Sequence, residues 1–234
     1  MRHQKPTRLP HLANLNTKIA VSATIILLVT GTVAIAITEW NGAFAGMSLT
    51  DKLVHSFFNA ATPRTAGFNS VSINHFSLLT LILYIILMWI GGASQSTAGG
   101  IKVNTIGVAF ASFMSTVRDE KSVTMFNRTI TDKSVKRAFA TIFGSVMVII
   151  ICFVTLLVLE PEIAAFDLLF ETVSALSTVG ASMGITATLT TASKVIVSAM
   201  MFIGRVGLIT VAMSLFASRG HKHYQLPEEN VIIN

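Results

Sequence analysis

The sequence predicts an all-α membrane protein made of two tandem units, each a span, a short helix with a re-entrant loop, and a second span. Three observations predict it. Of 234 residues, 52% are hydrophobic and only 12% charged, with a mean hydropathy of +0.69. A soluble domain, with about a quarter of its residues charged, covers its surface far better. Four long apolar stretches punctuate the chain. A Thr-x-Gly motif then recurs at the same place in each half. This composition also excludes a disordered chain, and a single cysteine, Cys152, excludes a disulfide within it.

The first stretch, residues 19–38, carries no charge. At 1.5 Å per residue it covers the roughly 30 Å of a bilayer core. It starts too far from the N-terminus, and lacks the cleavage site, for a secretory signal. Residues 76–93 and 138–159 form two further spans, and residues 195–217 a fourth with one charge, Arg205, inside it. Lysines and arginines set the orientation. Thirteen lie before the first span, between residues 93 and 138, or after the last span, whereas Lys52, Arg64 and Lys194 lie on the opposite side. Both termini are therefore expected in the cytoplasm. The net charge of +6 is an inner-face bias, and no basic stripe with interleaved aromatics points to nucleic acid.

Residues 50–62 and 163–176 are apolar, helix-compatible and too short to cross. Each sits between two spans on the outer side. After them come TPRTAGFNS (62–70) and STVGASMGIT (177–186). Aligning Gly67 with Gly180 also pairs Thr65 with Thr178 and Phe57 with Phe170. Both copies start on the cytoplasmic face, so they are parallel repeats about an axis along the membrane normal. The chemistry of such a loop suits a cation. Backbone carbonyls aimed at one axis replace an ion's water, glycine permits the backbone angles required, and a short helix turns its negative end toward the ion.

These segments resemble the C-terminal half of a Trk/Ktr/HKT-superfamily potassium uptake protein. The resemblance is carried by ATPRTAGFN (61–69), GGASQSTAGGIKVNT (91–105), LSTVGASMGIT (176–186), GRVGLIT (204–210) and PEENVIIN (227–234). The PRTAGFN form and the tail are nearer to the bacterial Ktr membrane subunit than to Trk. The resemblance implies four repeats in a pseudo-tetrameric, cation channel-like fold, of which this chain holds the third and fourth. It implies potassium uptake across the plasma membrane through a filter of Thr65, Ala66, Gly67 and Phe68 with Thr178, Val179, Gly180 and Ala181. Potassium is the transported ion, no cofactor is implied, and sodium coupling stays open. Implied partners are the missing N-terminal half or a second chain, a homodimer of complete pores, and a cytoplasmic nucleotide-binding regulatory subunit. The alternative is a non-conducting half that needs the other two repeats.

Residues 91–100, GGASQSTAGG, interrupt a helical region with four glycines. Close helix packing is one reading. The resemblance implies a gate, with Gly91, Gly92, Gly99 and Gly100 flexible and Arg205 facing the path beside them. A buried arginine is costly unless paired or wetted, and capping of helix carbonyls remains the other reading. Lys102 reads as an inner-face anchor. Asp167 and Glu171, four apart on one helix face, either make the outer mouth negative or, for Asp167, cap the helix. His221 and His223 read as tail residues. The expected organisation is thus a cytoplasmic segment 1–18, a first repeat 19–117, a cytoplasmic connector 118–137, a second repeat 138–218 and a cytoplasmic tail 219–234. No nucleophile–base set appears, so the chain does not read as an enzyme.

Overall fold

The computed structural model of the chain describes residues 14–94, 96, 98–120, 122–207 and 210. Most of the N-terminal segment, the end of the fourth span and the tail with His221, His223 and PEENVIIN lie outside the described residues.

Helix α1 spans Leu15–Glu39 and α5 spans Asp132–Leu159. Both are long and apolar enough to cross a membrane. Between the first of these and the next helix lies a tight turn, and α2 (Leu49–Ala61) then starts at Ser48. The Ser48 hydroxyl accepts the Asp51 N–H at 3.2 Å and donates to the Asp51 carboxylate at 2.7 Å, satisfying one orphan donor of the first turn. Pro63, which lacks an N–H, follows immediately after its end.

Helix α3 (Leu78–Trp89) is capped by Ser77 and is shorter than the predicted span 76–93. At Ile90 the backbone leaves helical geometry (φ −86°, ψ 80°), and Gly91–Gly92 open a loop. With 12 residues α3 reaches about 18 Å, so this element does not cross by itself. After the loop, α4 (Val103–Val117) continues the chain. The connector is more ordered than the sequence implied. Strands β1 (Thr124–Met125) and β2 (Arg128–Thr129) pair antiparallel, and α5 already begins at Asp132. Phe126 and Asn127, both at positive φ, form the two-residue turn, which follows the rule for hairpins of this length.

The second half repeats the element order of the first. After α5 come α6 (Ala165–Leu176), a loop, and α7 (Thr191–Val206), which Gly207 ends at φ +96°. Helix α6 lies among α3, α5 and α7. Eight of its 12 residues are buried. One core gathers Ile35, Phe44, Phe76, Tyr84, Met88 and Phe170, and a second gathers Leu156, Leu168, Leu176, Val197 and Met200. Tyr84 of α3 stacks on Phe170 of α6 at 6.1 Å. Trp89 donates to the Ser145 hydroxyl of α5 at 3.2 Å.

Each half also carries a carboxylate clamp that the sequence reading missed. Glu39, at the end of α1, is fully buried. One of its oxygens accepts the Ser77 N–H at 2.9 Å, the Ser77 hydroxyl at 2.7 Å and the Thr80 hydroxyl; the other accepts the Ala43 N–H at 3.0 Å. Glu160, at the end of α5, accepts the Thr190 N–H at 2.7 Å. The hydroxyls of Ser193 and Thr190 help hold its carboxyl below the ordinary range. In both halves a carboxylate at the end of one helix grips the cap of the helix two elements on. Glu39→Ala strands several buried donors and is expected to cost about 3 kcal/mol, read as a lowered unfolding temperature in detergent. Glu39→Gln, which keeps one acceptor, is expected to lose less.

Candidate functional site

The two Thr-x-Gly loops leave the C-terminal ends of α2 and α6 in matching ways. In the first, the Ala66 N–H donates to the Thr62 carbonyl at 3.1 Å, and the Thr62 hydroxyl donates to the Phe68 carbonyl at 2.6 Å. In the second, the Thr178 N–H donates to Ala175 and the Val179 N–H to Ser174, both at 3.0 Å. Left-handed residues fall in register: Thr65 (φ 71°) and Gly67 (φ 70°) match Thr178 (φ 53°) and Gly180 (φ 86°). A β-branched threonine at positive φ is strained by about 1–3 kcal/mol and is held there only by its surroundings. Left-handed residues alternating with ordinary ones gather N–H groups on one edge of a strand and carbonyls on the other. Among the described residues, the carbonyls of Thr65, Ala66, Gly67, Thr178, Val179 and Gly180 accept no hydrogen bond. An edge of unbonded carbonyls has the chemistry to take the place of a cation's water.

The loops also meet. A Cβ on Gly67 would overlap the Val179 carbonyl oxygen, whereas one on Gly180 would meet nothing within 4 Å. Phe68 is exposed, while Val179 and Ala181 are buried. Arg64 donates to the Thr24 carbonyl within α1 at 3.4 Å. The loop dips back into the protein and carries it there.

Polar groups brace each loop from behind. Asn59 of α2 donates to the Ser70 hydroxyl at 2.9 Å, and His55 shares a 2.9 Å hydrogen bond with the same hydroxyl. In the second half Thr186 donates to Glu171 at 2.6 Å and to Ser182 at 2.9 Å. Glu171 is therefore buried behind the loop and does not face an outer mouth. Asp167 lies in the first turn of α6 and does not cap it; the cap position is Ala164, which has no capping side chain. Spacing alone did not reveal Asn59, His55 and Ser70, because their partners meet only after the chain reverses.

The glycine-rich loop packs against the second Thr-x-Gly loop. The Gly99 N–H donates to the Thr178 hydroxyl at 2.9 Å. A Cβ on Gly99 would lie 2.5 Å from that oxygen, and one on Gly100 would lie 2.9 Å from the Ser177 hydroxyl. Gly91 and Gly92 are equally confined, by the backbone of Gly99 and by Ser96 and Ala98. The neck is pinned by hydrogen bonds from Gly91 to Ile101 at 2.8 Å and from Val103 to Gly92 at 3.1 Å. Lys102 folds over the loop and donates to the Ala98 carbonyl. Arg205, exposed on α7, is close enough to Lys102 for their charges to interact. Lys102 thus lies on the loop itself, and Arg205 acts on Lys102 through charge.

The chain matches the family of cation transport proteins named TrkH over residues 6–221. It belongs to the TrkH family. It is 37% identical to the potassium/sodium uptake protein NtpJ of Enterococcus hirae, over 94% of this chain and 50% of that protein. It is 40% identical to the Ktr system potassium uptake protein B of Vibrio alginolyticus, over 88% of this chain and 45% of that protein. The solved structure of the potassium transporter TrkH from Vibrio parahaemolyticus shares its fold, with a TM-score of 0.67 and 17% identity, across 83% of this chain and 43% of that one. This TrkH-family chain thus spans about half the length of the relatives it matches. Those relatives are membrane transporters of potassium and other cations.

Proposed function

We propose that this chain forms half of a potassium uptake pathway across the plasma membrane. Thr65, Ala66, Gly67 and Phe68 with Thr178, Val179, Gly180 and Ala181 form the filter, and their carbonyls replace the ion's water. The in-register left-handed residues at Thr65 and Gly67, Thr178 and Gly180 carry this reading. Helices α2 and α6 act as pore helices, with their negative C-terminal ends toward the ion. The ion moves down its electrochemical gradient.

The glycine-rich loop acts as the gate. Its bond to the Thr178 hydroxyl supports a position across the inner end of the filter. Lys102 and Arg205 hold positive charge beside it and oppose cation passage while the loop is closed. Both termini and the connector face the cytoplasm, where the basic connector docks a nucleotide-binding regulatory subunit. Sodium serves as a second ion; the name of the Enterococcus relative pairs it with potassium.

The test is rubidium uptake in cells lacking their own potassium uptake systems, expressing this chain at verified membrane levels. Uptake is expected above the empty-vector rate. Gly180→Asp, which puts a side chain and a charge into the filter, is expected to return it to that rate with insertion unchanged. Uptake unaffected by Gly180→Asp sinks the filter assignment. Absence of uptake from well-inserted protein favours the non-conducting reading.

A further inference from the structure

Glu171, in the middle of α6, is 4% exposed, and only half of its carboxylate is served. Oε1 accepts the Thr186 hydroxyl at 2.6 Å, whereas Oε2 is buried and has no hydrogen-bond partner. The same Thr186 hydroxyl lies 2.9 Å from that of Ser182, and the Gly184 N–H donates to the Ser182 oxygen at 3.0 Å. Three oxygen-bearing side chains thus stand in a row behind the second Thr-x-Gly loop. The row ends on an oxygen that lacks a donor. Unbalanced negative charge in a buried site is costly, and a group that brings positive charge to Oε2 lowers that cost.

These residues are not part of the repeat. With Gly67 aligned on Gly180, the first half has Phe58 where the second has Glu171. Ile73 stands in place of Thr186, and Asn69 in place of Ser182. The first loop therefore has hydrocarbon at two of the three positions. Thr65 and Gly67 still take the left-handed backbone of Thr178 and Gly180. A loop of this shape does not need the carboxylate, so the second half carries it for another purpose.

Carboxylate and hydroxyl oxygens suit a hard cation. The single carboxylate brings one negative charge, which a monovalent ion neutralises and a divalent ion overshoots. The donors are only 2.6 Å and 2.9 Å apart, a spacing that a small ion bridges better than a large one. Both hydroxyl oxygens keep lone pairs for an ion while Thr186 donates its proton to Glu171. Thr186 is exposed in this chain and Glu171 is not, so the threonine is the way in. We propose that Glu171, Thr186 and Ser182 bind a sodium ion behind the second loop, outside the line of filter carbonyls. All three donors belong to this chain. The site gives a place to the second ion of the proposed function, and rests on that reading for its purpose but not for its chemistry.

A bound ion ties residues 182–186 to α6, and an ion that binds only the folded chain raises its unfolding temperature. The test is thermal unfolding of the purified full chain in detergent, in sodium chloride against choline chloride at equal ionic strength. Sodium is expected to raise the unfolding temperature by at least about 2 °C. Glu171→Gln, which keeps the shape and removes the charge, is expected to lose that rise. Thr186→Val, which leaves the carboxylate in place, is expected to lose most of it. No sodium-specific rise in the unaltered chain overturns the inference, as does a rise that Glu171→Gln retains in full. Stabilisation that follows acid pH with no sodium-specific part makes Glu171 a proton acceptor and also overturns it. Potassium chloride is the companion arm. A potassium rise kept by Glu171→Gln belongs to the proposed filter and supports a separate sodium site. No potassium rise in either protein counts against the filter and leaves the sodium site standing.

Discussion

Gly204→Ala is expected to lower the stability of the protein by about 3 kcal/mol, the upper end of the usual range for overpacked sites. Helix α7 crosses the end of α6 at this residue, and the crossing is backbone on backbone. A Cβ there would overlap the Leu176 carbonyl oxygen and lie 2.8 Å from its carbonyl carbon. Neither atom belongs to a side chain that could rotate away. Relief requires α7 to lift from α6, opening the core of Leu176, Val197 and Met200. Leu176 is also the last residue of α6, so the same displacement moves Ser177 and Thr178. The measurement is thermal unfolding in detergent, paired with rubidium uptake, and both are expected to fall. Gly144→Ala is the control. That glycine lies within α5 with nothing within 4 Å of its would-be Cβ, and alanine there is expected to be neutral or slightly stabilising. Equal unfolding temperatures for the two variants would show that α7 does not rest on α6 as described.

Gly67→Ala is expected to reduce potassium uptake at least tenfold, while Gly180→Ala retains a measurable fraction. Both positions need a left-handed backbone, which costs an ordinary residue about 1–2 kcal/mol. Only Gly67 adds a collision, with the carbonyl oxygen of Val179 in the neighbouring loop. Separating the loops would spread the carbonyl edges and weaken discrimination against sodium. Rubidium uptake with and without competing sodium checks both parts. Equal losses for the two substitutions would show that the loops are not in contact at Gly67.

The long helices were legible because α1 and α5 each hold an uninterrupted apolar run long enough to cross. The short ones were legible from their apolar content and their length. The end of α3 was not. Hydropathy stays high through Trp89 and Ile90 and does not register the backbone turning at Ile90. Duplication made Thr65, Gly67, Thr178 and Gly180 visible as a set. Yet nothing in a threonine's identity announces a positive φ, which the packing of the loop imposes. Glu39 and Glu160 stayed hidden for another reason. They are offset differently from the loop residues, so aligning the two glycines does not align the two glutamates. Each also looks like an ordinary acidic residue at the end of a span until Ser77 or Thr190 is folded onto it. The burial of Glu171 behind the loop depends on Thr186, 15 residues on, returning to the same place.

The pinned neck of the glycine-rich loop makes it mechanically separate from its flanks. Gly91 is bonded to Ile101, and Val103 to Gly92, so the ends of the loop stay together whatever its middle does. The closed neck ties the ends of α3 and α4 to each other. Tilting those helices, in turn, delivers little strain to the loop. Two handles are the Gly99–Thr178 bond and the Lys102 side chain, one on the second Thr-x-Gly loop and the other at the loop's own foot. A stimulus that breaks either contact would act on the loop directly, without leverage through the long helices.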